Sequence, residues 1–198
     1  MELIRITNRV WYYPFEKERD RPILGYVKGD DWSLAIDAGH SRLHTLEFYS
    51  ALEKEGLPMP TITILTHWHW DHSFGMHAIK GKCLSNERTK EHLVEFKNWY
   101  EENDVENFLE LDECIRKEYS DLKNNPVVIT VPDNTFINEL RLDAGNVPFD
   151  CCKPNLHTQM ILHLLLSKMK RYCFLVTQPV EFFRHGRRIL FYAESLQI

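Results

Sequence analysis

No stretch of this chain approaches the roughly 20 consecutive apolar residues that a membrane-spanning helix needs. The amino terminus, Met1-Glu2-Leu3-Ile4-Arg5, lacks the apolar run after a basic start that marks a secretory signal. Both absences lead to the expectation of a cytoplasmic protein without a membrane partner. The 5 cysteines contain no Cys-x-x-Cys pair, which argues against a zinc ribbon. Cys83, Cys114, Cys151, Cys152 and Cys173 are odd in number and irregularly spaced, which suits reduced thiols better than a disulfide framework. An excess of positive charge is lacking too. The formal net charge is -5, so no nucleic-acid partner is expected. Internal repeats and low-complexity linkers are absent.

What is present is an ordinary soluble mixture, 43% hydrophobic and 27% charged over 198 residues, the length of one domain. A chain of this size buries roughly 70% of its unfolded surface and needs no crosslink merely to fold. Strands are expected from Ile4 through Val10 into Trp11-Tyr12-Tyr13, at Ile23-Leu24-Gly25-Tyr26-Val27 and at Ser33-Leu34-Ala35-Ile36. Ser41 is placed to cap a helix in which Leu43, Leu46, Tyr49 and Leu52 recur at helical spacing, and Gly56 with Pro58 stops it. Thr61-Ile62-Thr63-Ile64-Leu65 reads as a strand. Residues 86–122 read as helical and charged, with a break at Asn103-Asp104. Strands are expected again at Val127-Val128-Ile129-Thr130-Val131 and Glu139-Leu140-Arg141-Leu142. This order implies an α+β chain built in layers.

Chemistry is concentrated in Thr66-His67-Trp68-His69-Trp70-Asp71-His72, directly after an expected strand. In an extended segment His67 and His69 point to one side, because side chains alternate, so both imidazoles can reach one metal. Asp71 and His72 follow where the chain bends and can face a second. Nitrogen and carboxylate donors without thiolate suit zinc, and also admit iron or manganese. Three histidines and an aspartate at this spacing are far harder to obtain by chance than a close histidine pair. Trp68 and Trp70, at the alternate positions, are read mainly as packing behind the site. His40, His44, His77, His92 and His163 are read as surface or structural groups.

The run Thr-His-x-His-x-Asp-His-x-x-Gly, matched without a gap by residues 66–75, resembles the signature of the metallo-β-lactamase superfamily. The resemblance implies an αββα four-layer sandwich and two divalent metal ions, zinc first among them. His67 and His69 would be ligands of the first metal. Asp71 and His72 would bind the second, with Asp71 also orienting the attacking water. Leu34-Ala35-Ile36-Asp37-Ala38-Gly39 resembles the family's early strand ending in Asp-x-Gly. Asp37, with Thr66, would support the ligands from behind. The implied activity is hydrolysis of a small-molecule ester, thioester, lactone, amide or phosphoester by a metal-bound hydroxide.

The resemblance covers residues 1–150, and residues 151–198 depart from it. His157 lies where a third ligand of the first metal belongs, but in the wrong context, Leu156-His157-Thr158-Gln159-Met160. No Gly-Asp step, which would carry the bridging aspartate, follows Asp150, and the only later acidic residues are Glu181 and Glu194. The C-terminal half of the sandwich is therefore expected to be incomplete. A shifted reading frame near Asp150 accounts for this. Back-translated and read from the third codon base, residues 156–162 permit Pro-His-(Ser/Thr)-Asp-Asp-(Ser/Thr). In the same register residues 168–178 permit a Gly-Asp step after an apolar strand. Two alternatives accompany the hydrolase reading: a catalytically degenerate relative with impaired metal binding, and a di-iron redox member of the superfamily.

Overall fold

The computed structural model describes residues 1–152, 161–167 and 170–175, with side chains through residue 151. Its larger sheet has seven strands in chain order: β1 (Ile4–Arg5), β2 (Val10–Tyr13), β3 (Leu24–Lys28), β4 (Ser33–Ile36), β5 (Ile62–Ile64), β6 (Lys82–Asn86) and β7 (Asn134–Phe136). The first four strands pair antiparallel and the last four parallel. The switch falls at β4, because helix α1 (Arg42–Lys54) carries the chain back to begin β5 on the same side as β4. A second, antiparallel sheet holds β8 (Glu139–Asp143), β9 (Pro148–Cys152), β10 (Ile161–Ser167) and β11 (Lys170–Leu175).

Period-two burial sets the layers. Val10, Val27, Leu34, Ile36 and Ile64 face Phe149, Cys151, Val147 and Ala144 in the core between the two sheets. Trp11, Tyr13, Leu24, Tyr26 and Ala35 face the other way and meet Phe48, Tyr49, Ala51 and Leu52 of α1. Helix, sheet and sheet thus form successive layers, as the expected α+β class requires. A helical layer outside the second sheet lies outside the described residues, as do His157 and residues 176–198.

Ser41 caps α1 as expected, its hydroxyl accepting from the His44 amide at 3.2 Å. The buried face of that helix differs from the expected one. Leu43 and Leu46 are exposed, whereas His44, Thr45, Phe48, Tyr49, Ala51 and Leu52 are buried. The reason is polar. Thr45 donates its hydroxyl near the carbonyls of Ala38 (2.6 Å), Ser41 (3.0 Å) and Gly75 (3.2 Å), so the inner face serves the loops above the sheet.

Helix α2 is a single turn, Trp70–Ser73. Helix α3 (Glu87–Leu109) is broken at Asp104, whose φ of 60° and ψ of 174° are non-helical, where the sequence predicts a break. Helix α4 (Glu113–Glu118) follows, capped by Asp112. The strand expected over residues 127–131 does not form. Pro126 and Pro132 bound that segment and cannot donate to a ladder. Its apolar groups instead join the side chains of α3 and α4: Ile129 and Val127 lie with Phe108, Ile115 and Tyr119. The sheet edge is taken by Asn134–Phe136, paired to β6. Strand β6 itself carries polar residues at Lys82, Ser85 and Asn86 and has no apolar alternation to announce it.

Candidate metal centre

β5 ends at Ile64, and the chain turns above the sheet edge with its backbone held at several points. The Thr66 amide donates to Asp37 Oδ1 at 2.7 Å. The Ala38 amide donates to the His72 carbonyl at 2.9 Å, and Ser73 Oγ donates to the carbonyls of Trp68 and His69 at 3.0 and 2.8 Å. Gly75 closes the motif because nothing larger fits. A Cβ there would stand 2.1 Å from Thr45 Oγ1 and 2.2 Å from the Ala38 carbonyl oxygen.

Asp37, at the end of β4 with φ 64°, is the hub. Thr66 Oγ1 donates to its carboxylate, at 2.9 and 2.8 Å from the two oxygens. That hydroxyl has one proton, so Thr66 Oγ1 accepts from His67 Nδ1 at 3.0 Å. His72 Nδ1 donates to Asp37 Oδ2 at 2.8 Å. Both contacts orient the rings: His67 and His72 each turn Nε2 away from Asp37, and on His67 that nitrogen is bare. His67 Nε2 meets His69 Nδ1 at 3.1 Å, and His72 Nε2 meets Asp71 Oδ2 at 3.2 Å. The latter two atoms are close but misaligned, and both are buried without a hydrogen-bond partner.

Thus Thr66, His67, His69, Asp71, His72 and Asp37 lie together in the fold, and the ring and carboxylate atoms of the motif meet in pairs. Among the described residues no group of three or more histidine, cysteine or acidic side chains is arranged to hold one metal ion. His67, Asp71 and His72 are buried, and His69 is half-buried.

The electrostatics follow from this crowding. Burial, with His72 and His69 nearby, holds the His67 pKa well below its ordinary value. Burial opposes charge on His72 as well, but Asp71 and Asp37 outweigh it and push the pKa up to about 10. Burial likewise opposes charge on Asp71, and the neighbouring His72 overcomes it, holding the carboxyl below its usual range. Asp20, which feels burial first and then Asp71 and Asp112, is pushed up to about 6.

Residues that the sequence does not single out support this centre. His40 and His44 are both fully buried, so they are structural rather than surface groups. His40 Nδ1 donates to the Arg19 carbonyl at 3.0 Å, and the His40 amide donates to His44 Nδ1 at 3.2 Å. His77 and His92 are half-buried, and the side chain of His163 lies outside the described residues. Tyr119 donates its hydroxyl to the His40 carbonyl at 2.6 Å. Next to it, buried Arg21 grips buried Glu118 through Nε (2.8 Å) and Nη2 (3.0 Å), and reaches Glu47 (2.8 Å) and Glu16 (3.1 Å) through Nη1. Ser41 Oγ also donates to Glu118. The start of α1, the 16–21 segment and α4 are thereby clamped together beside the 37–41 loop. The one available sequence signal was adjacency: His40 and Ser41 directly follow the Asp-x-Gly step.

A sequence model of the metallo-beta-lactamase superfamily matches residues 25–148. No curated protein gives a match. Among solved structures, the metallo-beta-lactamase with the HARLDQ motif from Cronobacter sakazakii aligns with a TM-score of 0.64 at 14% identity, covering 91% of this chain and 64% of that one. The native FEZ-1 metallo-beta-lactamase of Legionella gormanii aligns with a TM-score of 0.60 at 12% identity, covering 93% and 68%. BJP-1, a subclass B3 metallo-beta-lactamase of Bradyrhizobium japonicum, aligns with a TM-score of 0.60 at 15% identity, covering 87% and 60%. The chain therefore spans about 64% of the Cronobacter enzyme's length, and at such identities these likenesses establish fold alone. The matched segment contains β4 with Asp37 and the whole 66–75 motif, and the chain belongs to the metallo-beta-lactamase superfamily.

Proposed function

We propose that this protein is a metal-dependent hydrolase of a small-molecule ester, thioester, lactone, amide or phosphoester, with His67, His69, Asp71 and His72 as metal ligands. The observation that carries this is the pair of buried, unpartnered atoms Asp71 Oδ2 and His72 Nε2 beside the opposed nitrogens of His67 and His69. Metal-free, the buried Asp71 carboxylate is balanced by the proton that His72 carries, and a metal ion held by both would take that proton's place. Without a metal, the His67–His69 contact requires a proton on His69 Nδ1, which a metal ion replaces. Two ions are proposed, one for each pair, with zinc favoured by the nitrogen and carboxylate donors. Each pair supplies two ligands, so the remaining donors must come from elsewhere, and His157 is the proposed third ligand of the first site.

A divalent cation held by these residues would supply Lewis acidity and would lower the pKa of a bound water toward about 7. The chain's own residues do the rest. Asp37 and Thr66 hold the His67 and His72 rings so that each Nε2 faces the centre. Asp71, kept ionised beside His72, is an acceptor for the proton of an attacking water and orients it toward the scissile carbon or phosphorus. His67, kept neutral by burial, remains available as a ligand rather than a cation.

Hydrolysis of aryl ester, lactone and amide substrates, assayed before chelation, after chelation and after zinc is restored, tests this reading. Activity that disappears with the metal and returns with it is the expected result. Hydrolysis indifferent to chelation would refute it.

A further inference from the structure

We propose that the surface beside His69, formed by Trp68 and Trp70 and backed by α3, binds an uncharged apolar group of the substrate. That group is an acyl chain or aryl ring attached to the scissile bond. The inference rests on the hydrolase reading and names the substrate class for that same site.

Access comes first. Of the four motif side chains, His69 alone retains solvent exposure, while His67, Asp71 and His72 are each at most 3% exposed. Among the described residues, then, a substrate approaching the ligand set does so over His69. Trp68 and Trp70 flank that ring on both sides in sequence. Their centroids lie 4.6 and 6.1 Å from it, Trp68 edge-on and Trp70 tilted by 35°.

Core packing alone does not explain both indoles. Trp68 borders the cluster of Leu65, Cys83 and Leu93, and Trp70 borders that of Phe74, Phe108 and Tyr119, yet each stays half-buried. The wall continues along α3. Trp68 lies 6.3 Å from Phe96 and 5.4 Å from His92, Phe96 lies 5.3 Å from Trp99, and all of these are half-buried too. Partly exposed indoles are strongly hydrophobic, have few torsions to order, and present flat faces to apolar or aromatic groups. Contiguous apolar surface at the mouth of a polar site is where such binding occurs. Trp68 and Trp70 are therefore specificity-determining residues, and α3 backs them through Phe96 behind Trp68 and Phe108 behind Trp70.

The test measures binding, so it does not depend on turnover. The full chain is titrated with two uncharged, non-ester probes, N-octylacetamide and N-methylacetamide. Tryptophan emission and the His69 imidazole NMR signal report occupancy. The octyl probe is expected to bind at least about tenfold more tightly and to shift the His69 signal. Trp68→Leu and Trp70→Leu, which keep apolar bulk for folding, are expected to lower that preference several-fold, and Trp68→Phe to retain most of it. Equal affinity for the two probes in the wild-type chain would overturn the inference. So would an unchanged preference in both leucine variants, or octyl binding that leaves His69 unmoved. Zinc uptake measured on the same samples separates the two readings. Octyl preference without zinc uptake sinks the hydrolase and spares this surface, whereas zinc uptake without octyl preference does the reverse.

Discussion

At the residue scale the centre is organised by one carboxylate, Asp37. It accepts from the Thr66 amide, the Thr66 hydroxyl and His72 Nδ1, and through Thr66 it sets the tautomer of His67 as well. Asp37→Ala should therefore lower zinc affinity about 10- to 100-fold while leaving every proposed ligand in place, as competition with a chromogenic chelator would show. A second expectation comes from His72. With its pKa raised to about 10, the metal-free chain carries a proton there at neutral pH, and zinc must displace it. Apparent zinc affinity at the site containing His72 should therefore climb about tenfold between pH 7 and pH 8, one proton being released per ion bound there. An unshifted histidine, already mostly neutral at pH 7, would give a nearly flat profile over that interval. The cluster of His67, His69, Asp71 and His72 beside Asp37 was legible in the sequence because these residues lie close together in the motif and follow a strand end. The support from Arg21, His40 and Glu118 was not, because Arg21 and Glu118 stand 97 positions apart and only folding brings them together.

At the scale of elements, hydrophobic periodicity located α1 and the strands up to β5 but misjudged which groups α1 buries. α1 turns His44 and Thr45 inward because loop carbonyls need donors, and Leu43 and Leu46 are left outside. Residues 127–131 have the composition of a strand, yet two prolines and the aromatic cluster of α3 and α4 take them elsewhere. The break at Asp104 was legible because asparagine and aspartate compete with the helix backbone. The Arg21–Glu118 clamp makes α4 a fixed brace on the 37–41 loop rather than a loose cover. Glu118→Ala leaves Nε and Nη2 of buried Arg21 without acceptors, with only Nη1 still paired, and should destabilise the chain by about 3 kcal/mol in urea unfolding. If α4 were only a solvated covering, the loss would stay under about 1 kcal/mol.

At the scale of the whole molecule, the described residues place helices on one face of a mixed sheet and a second sheet on the other. They carry the motif, and no group of three or more histidine, cysteine or acidic side chains among them is arranged to hold a metal ion. We propose that a shifted reading frame near Asp150 accounts for the departure of residues 151–198 from the family pattern. The nucleotide sequence should spell the Pro-His and Gly-Asp steps in the shifted register, and a frame-restored chain should hydrolyse substrates far faster than this one. Equal activity of the two chains would refute that proposal. The hydrolase reading itself stands or falls on whether the centre holds metal. Elemental analysis of the chain, purified without chelators and dialysed against zinc, should find bound zinc that is lost from the double variant His67→Ala/Asp71→Ala. Finding no zinc, iron or manganese in the wild-type chain, or as much in the variant, would contradict it.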